Sequence, residues 1–272
     1  MNRRRPPLHK RHLFTCDQYK VVAVDPLAVR DISLSDEEFG NFAVHPEFPR
    51  LIPENEIWIT DRIADAEGIF FIGNALAQLK ARERGESEDK AYDDGENAER
   101  FLRHCIRGAE FRDGKPHKRV PEKIYVERYT TLPDPTRPGE DVVVWRIDGA
   151  LARDYYKTDY TEGGHGYVYP WVPKPEIWVE VTLERSELPY VVSHEFLERR
   201  LMHDAGLDYD PAHEICSKVE YRLRENQSPI DILTAGRKLT KSDLPKLARD
   251  EFFDYVRAHY LKRNQRTEDR GQ

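Results

Sequence analysis

Cysteine is scarce in this chain: three residues in 272, at positions 16, 105 and 216. Being few, odd in number and far apart, they exclude a disulfide framework and a cysteine-based zinc site. Long apolar runs are also missing. No stretch approaches the roughly 20 residues needed to span a bilayer. The basic opening Met1-Asn2-Arg3-Arg4-Arg5-Pro6-Pro7 leads into no apolar segment of the kind a secretory signal carries. These absences lead us to expect a soluble, cytoplasmic protein with no membrane partner. Excess positive charge is lacking too. The net charge is −7, which argues against wholesale nucleic-acid binding. The exception is a basic arm, residues 1–19, with Arg3, Arg4, Arg5, Lys10 and Arg11 ahead of the first acid, Asp17. Such an arm reads as a solubilising terminus or as a contact for nucleic-acid phosphates.

What the chain does have is the same unit twice. Ile52-Pro53-Glu54-Asn55-Glu56-Ile57-Trp58-Ile59 reappears 120 residues later as Val172-Pro173-Lys174-Pro175-Glu176-Ile177-Trp178-Val179. Upstream, Asp25 with Arg30-Asp31 matches Asp148 with Arg153-Asp154, and His45 falls near His165. Downstream, Tyr92-Asp93 resembles Tyr209-Asp210, and Ala98-Glu99 with Leu102-Arg103 resembles Val219-Glu220 with Leu223-Arg224. Two copies of this length indicate a duplicated small domain and not a solenoid. The copies cover residues 20–103 and 142–224. Residues 104–141, dense in proline and glycine, read as a linker with a strand near Ile124. Residues 225–272 read as a helical tail, with Phe252, Phe253, Val256 and Tyr260 on one helix face. The fold class expected is α+β: two related lobes, each a small sheet with two packed helices. Strands are expected at 19–24, 57–60, 142–147 and 176–182, and helices at 65–84, 95–106, 187–204 and 210–224.

The copies differ where chemistry is concerned. The second carries His194-Glu195-Phe196-Leu197-Glu198; at the same offset the first has Asn74-Ala75-Leu76-Ala77-Gln78. His194 and Glu198, four apart on a helix, share an apolar face. A carboxylate and an imidazole on a buried face are costly unless paired or metal-bound. His213 falls in the first turn of the next helix, and Glu220 lies seven residues further on nearly the same face. Imidazole and carboxylate suit zinc, with iron or manganese as alternatives for a carboxylate-rich set. His165 sits in a Gly-Gly-His-Gly loop and reads as an exposed turn residue, with closure over a site as the alternative. Trp58, Trp178 and Cys216 read as core residues, and His203 as exposed.

A strand, a short connection and a helix with His-Glu-x-x-ligand resemble the core of zincin-like metallopeptidases over about residues 176–220. The resemblance implies a strand running along the substrate, His194 as a metal ligand and Glu195 as general base. The family's second histidine is replaced here by Glu198. His213 is the third ligand by spacing, with Glu220 and His165 as additional candidates. The function expected is therefore a metal-dependent hydrolase acting on a peptide or protein. The alternative is a non-enzymatic binding or assembly protein, associated with nucleic acid or a phage or mobile-element particle, keeping a relic site.

Overall fold

The computed structural model describes residues 8, 10–33, 39–109, 121–133, 141–204 and 206–226. Residues 1–7 and 9 of the basic arm, much of the linker and nearly all of the expected helical tail lie outside the described residues. The chain divides into two compact units, residues 1–124 with 148–162, and residues 125–147 with 163–272. Each is α+β, a four-stranded mixed sheet packed with helices. Among the described residues no helix is long and apolar enough to cross a membrane.

The first unit begins with β1 (Lys10–Cys16) and β2 (Tyr19–Val24), an antiparallel hairpin turning through Asp17 at φ 53. Then come α1 (Pro26–Ser33), β3 (Phe42–Val44), β4 (Glu56–Thr60), α2 (Asp61–Glu83) and α3 (Glu88–Arg107). The strand order is β1-β2-β4-β3, with β2 and β4 parallel. Alternation along the strands divides the core in two. Val21, Ala23, Ile57 and Ile59 face α2 and meet Ile63, Phe71 and Ala75. Val22, Val24 and Trp58 face the other way, onto Val29, Phe39, Phe48 and Ile52. The Ser87 hydroxyl caps α3 by accepting from the Lys90 amide at 3.2 Å, and Gly108 ends that helix in the left-handed conformation.

The second unit repeats the plan. A 3-10 turn at Glu122–Ile124 precedes β5 (Tyr125–Pro133), which pairs with β6 (Asp141–Ile147). Then follow α4 (Gly149–Tyr155), β7 (Gly163–His165), β8 (Glu176–Glu180), α5 (Leu188–Asp204) and α6 (Tyr209–Asn226). The order β5-β6-β8-β7 matches that of the first sheet strand for strand. One difference is that α4, although it follows β6 in the second copy, belongs to the first compact unit. Val142, Val144, Ile177 and Val179 pack on Leu188, Val191, Val192 and Phe196 of α5.

The correspondence extends to single hydrogen bonds. The indole Nε1 of Trp58 donates to Glu56 Oε2 at 2.7 Å, and that of Trp178 to Glu176 Oε2 at 2.7 Å. Asp25 and Asp148 accept from the amides of Leu27 and Leu151 at the starts of α1 and α4. Glu56 and Glu176 accordingly satisfy a buried tryptophan N–H, which explains why both copies keep them.

Candidate metal centre

The ionisable cluster lies wholly in the second unit, on α5, α6 and β7. Leu188, Val191, Val192 and Phe196 seat α5 on the sheet, while Leu201 packs with Leu207, Ala212, Ile215 and Cys216 around the turn to α6. Gly206, at φ +65, makes that turn possible, with the Leu207 amide donating back to the Leu201 carbonyl. The expected spacing therefore holds: His194 and Glu198 on one helix meet His213 and Glu220 on the next.

Three donor atoms converge. His194 Nε2 is 3.1 Å from His213 Nδ1, His213 Nδ1 is 2.9 Å from Glu198 Oε2, and His194 Nε2 is 3.4 Å from Glu198 Oε2. Ligands held tetrahedrally at about 2.0–2.1 Å stand roughly 3.3 Å apart, close to this triangle. The other nitrogen of His194, Nδ1, is 2.9 Å from Glu220 Oε2. A carboxylate on Nδ1 fixes the proton there and turns a bare Nε2 toward the other donors, as metal-ligating histidines require. Two imidazole nitrogens and one carboxylate oxygen thus fit a divalent ion, and Glu220 stands behind His194.

Burial alone would push the carboxyl of Glu198 up. Contacts to His165, His194 and His213 outweigh it and hold Glu198 well below the ordinary range. Burial would likewise lower His194, but its hydrogen bonds to Glu198 and Glu220 hold it well above the usual imidazole value. Without an ion, the same groups form a buried hydrogen-bonded charge network.

His165, read from sequence as an exposed turn residue, is fully buried at 0 % exposure. It lies in β7 opposite Ile177, a strand too short for its alternation to be visible. Burial drives its pKa down. Its Nδ1 accepts from the Tyr167 amide at 3.2 Å, which places the neutral ring's proton on Nε2. That Nε2 is 3.0 Å from Glu198 Oε1 but off the hydrogen-bond line, and so lies close without a formed hydrogen bond. His165, Glu195 and Glu198 form a second cluster within 4.8 Å, but a ring that carries its proton on the facing nitrogen is a donor and not a ligand. Residue 165 also aligns with Val44 and not with His45, since Val44 occupies the same register opposite Ile57.

Glu195 lies against β7. A Cβ on Gly163 would come within 2.7 Å of Glu195 Oε1, so the carboxylate occupies space that only glycine leaves open. In the first unit the sizes are exchanged: Phe42 stands opposite Ile59 where Gly163 stands opposite Val179, and Ala75 stands for Glu195. Phe42 stacks on Phe71 in that space, ring centroids 5.9 Å apart. This reciprocal exchange was present in the sequence but is visible only once β3 and β7 are in register. As expected, Trp58, Trp178 and Cys216 are buried and His203 is exposed. Compared with protein-family models, curated proteins and solved structures, the chain matches none.

Proposed function

We propose that the second unit is a metal-dependent hydrolase, most simply a zinc peptidase, that holds one divalent ion between His194 Nε2, Glu198 Oε2 and His213 Nδ1. The observation that carries this reading is the triangle of donor atoms with edges of 2.9, 3.1 and 3.4 Å. A His2Glu set with a fourth position left for water is a known catalytic zinc arrangement, while two histidines and a carboxylate also suit iron. A bound divalent ion would supply Lewis acidity and bring a water molecule into its acidic range.

The chain's own residues do the rest. Glu220 orients His194 through Nδ1. His165, neutral and buried, stands with Nε2 3.0 Å from Glu198 Oε1, the oxygen outside the triangle. Glu195 lies beside this group against Gly163, and its carboxylate takes the proton from the attacking water and delivers it to the leaving group. The peptide substrate class rests on the His-Glu-x-x-ligand resemblance. In that resemblance a strand lies along the substrate, yet β8 is paired on both sides, with β6 and β7. A peptide strand would therefore add beside β7, next to Glu195. The test is metal content together with peptidase activity. Glu195→Gln should keep the ion and lose hydrolysis, and His194→Ala should lose both. Hydrolysis that is undiminished in Glu195→Gln would overturn the catalytic assignment.

One observation favours a second reading. His194, Glu198, His213 and Glu220 satisfy one another by hydrogen bonds without an ion. On that reading the site is a relic and the protein is a binding or assembly factor that contacts nucleic acid through its basic arm. Partner binding would then survive His194→Ala and weaken when residues 1–12 are removed.

A further inference from the structure

Among its described residues the first unit has no metal-ligand triangle, but it has a cavity of about 420 Å³. The size is within the range of small-molecule sites. Its wall includes Asn74, Gln78 and Glu99, which align with His194, Glu198 and Glu220. The cavity therefore stands where the second unit has its cluster. Phe42, Phe48 and Phe71 supply an apolar wall; Glu47, Glu96, Glu99 and Asp159 supply four carboxylates, and among the described residues no lysine or arginine lines it.

The four acids are unequal. Glu96 is paired with Arg100, and Glu99 with Arg103 and Asn74. Asp159 binds Lys157 through Oδ2, while its Oδ1 is buried without a hydrogen-bond partner. Glu47 accepts from the Val44 amide at 2.9 Å, and burial raises its pKa. The cavity thus holds acceptors short of donors, beside aromatic faces. Among the described residues these acids form no cluster tight enough for a metal ion. Acids spread around an aromatic-walled space suit a cation with several N–H donors and a hydrocarbon body. Its charge gains from the carboxylates and the ring faces together.

We propose that this cavity is a binding site for a small organic cation, an alkyl guanidinium or ammonium group, held by Glu47 and Asp159 with its hydrocarbon part against Phe42 and Phe48. The site is independent of the metal centre and assigns a role of its own to the first copy.

Titration calorimetry on the full chain tests it with agmatine, with acetyl-arginine-amide, and with neutral acetyl-citrulline-amide as control. Saturable binding of a cationic probe is expected, weakened about tenfold in Glu47→Gln and in Asp159→Asn, the loss of one charged hydrogen bond. Preference for agmatine would indicate a free amine, and preference for the blocked arginine a basic side chain of a peptide. Each variant removes a half-buried carboxylate, one raised by burial and one with an oxygen short of a donor, so their melting temperatures without probe should equal or exceed that of the wild type. No saturable binding of either cation, equal binding of the citrulline control, or unchanged affinity in both folded variants would overturn the proposal.

Discussion

In the first unit Asn74 Nδ2 donates to Glu99 Oε2 at 2.8 Å, and Gln78 Nε2 donates to Asn74 Oδ1 at 2.8 Å. In the second, His194 Nδ1 meets Glu220 Oε2 at 2.9 Å, and His194 Nε2 faces Glu198 Oε2 at 3.4 Å. The same ladder joins the same pair of helices. One version sets two amides, which carry fixed donors and acceptors, against the Glu99 carboxylate. The other is built of imidazole and carboxylate, which can give up protons and take a metal. The helix pair therefore does not depend on ionisable groups at the positions of His194 and Glu198 for its geometry, so their presence in the second unit calls for a further explanation.

The first unit contains a charge network of its own. Arg103 is fully buried, with Nη1 at 2.8 Å from Glu67 and 2.9 Å from Asp154 and Nη2 at 2.8 Å from Glu99; Arg153 also grips Glu67. Here the charges neutralise one another and leave no converging lone pairs. The largest effect expected is at this position: Arg103→Ala should cost about 3–5 kcal/mol by leaving buried carboxylates uncompensated, read by denaturant unfolding. The same network sets a pH dependence. Burial would raise the carboxyl of Glu67, but Arg153 and Arg103 hold it below its ordinary value. Its contribution is full above the ordinary carboxylate range and is lost as pH falls through the depressed value. Glu67→Gln should flatten the acid side of the stability curve, and an unchanged acid limb would remove Glu67 from the account.

At the second unit, Glu220→Gln should weaken metal binding by about 10–100-fold without abolishing it, because it loosens His194 and removes no ligand. A competitive chelator titration measures this, and an unchanged affinity would show that Glu220 does not act through His194. The matched changes Glu56→Ala and Glu176→Ala each strand a buried indole N–H and should each cost about 1–2 kcal/mol. Clearly unequal costs would show that the shared Trp–Glu bond is not the common element it resembles. The smallest effect is expected from the double change His194→Asn with Glu198→Gln, which rewrites the second ladder in the amides of the first. In chelator-treated protein its stability should lie within about 1 kcal/mol of the parent, since a satisfied polar pair replaces a satisfied polar pair. Collapse of the fold would break the equivalence of the two ladders.

Much of this was legible in the sequence. The 120-residue offset of the Pro-x-x-Glu-Ile-Trp segment carried the two-sheet plan, and the spacing of His194, Glu198 and His213 brought the three donors together as expected. The remainder was hidden for physical reasons. The β1 strand is mostly exposed, so its residues show no apolar alternation, and the antiparallel hairpin it makes with β2 was missed. The β5 strand extends through a segment whose prolines and charges read as linker. Three-residue β7 is too short to show a period, which concealed the burial of His165. The α3 helix begins at Glu88, seven residues before the expected start, because its first turns are acidic and carry few apolar residues. Arg103 and Glu67 lie 36 residues apart on two helices, and single charged residues at that separation read as solvated faces.

The central claim is that the second ladder holds an ion and the first does not. Elemental analysis of the purified full chain tests it most directly. About one equivalent of a divalent metal is predicted, retained in Asn74→Ala, lost in His194→Ala, and removable by chelation with a measurable fall in melting temperature. Metal-free protein whose melting temperature is the same with and without chelator and added zinc would contradict it.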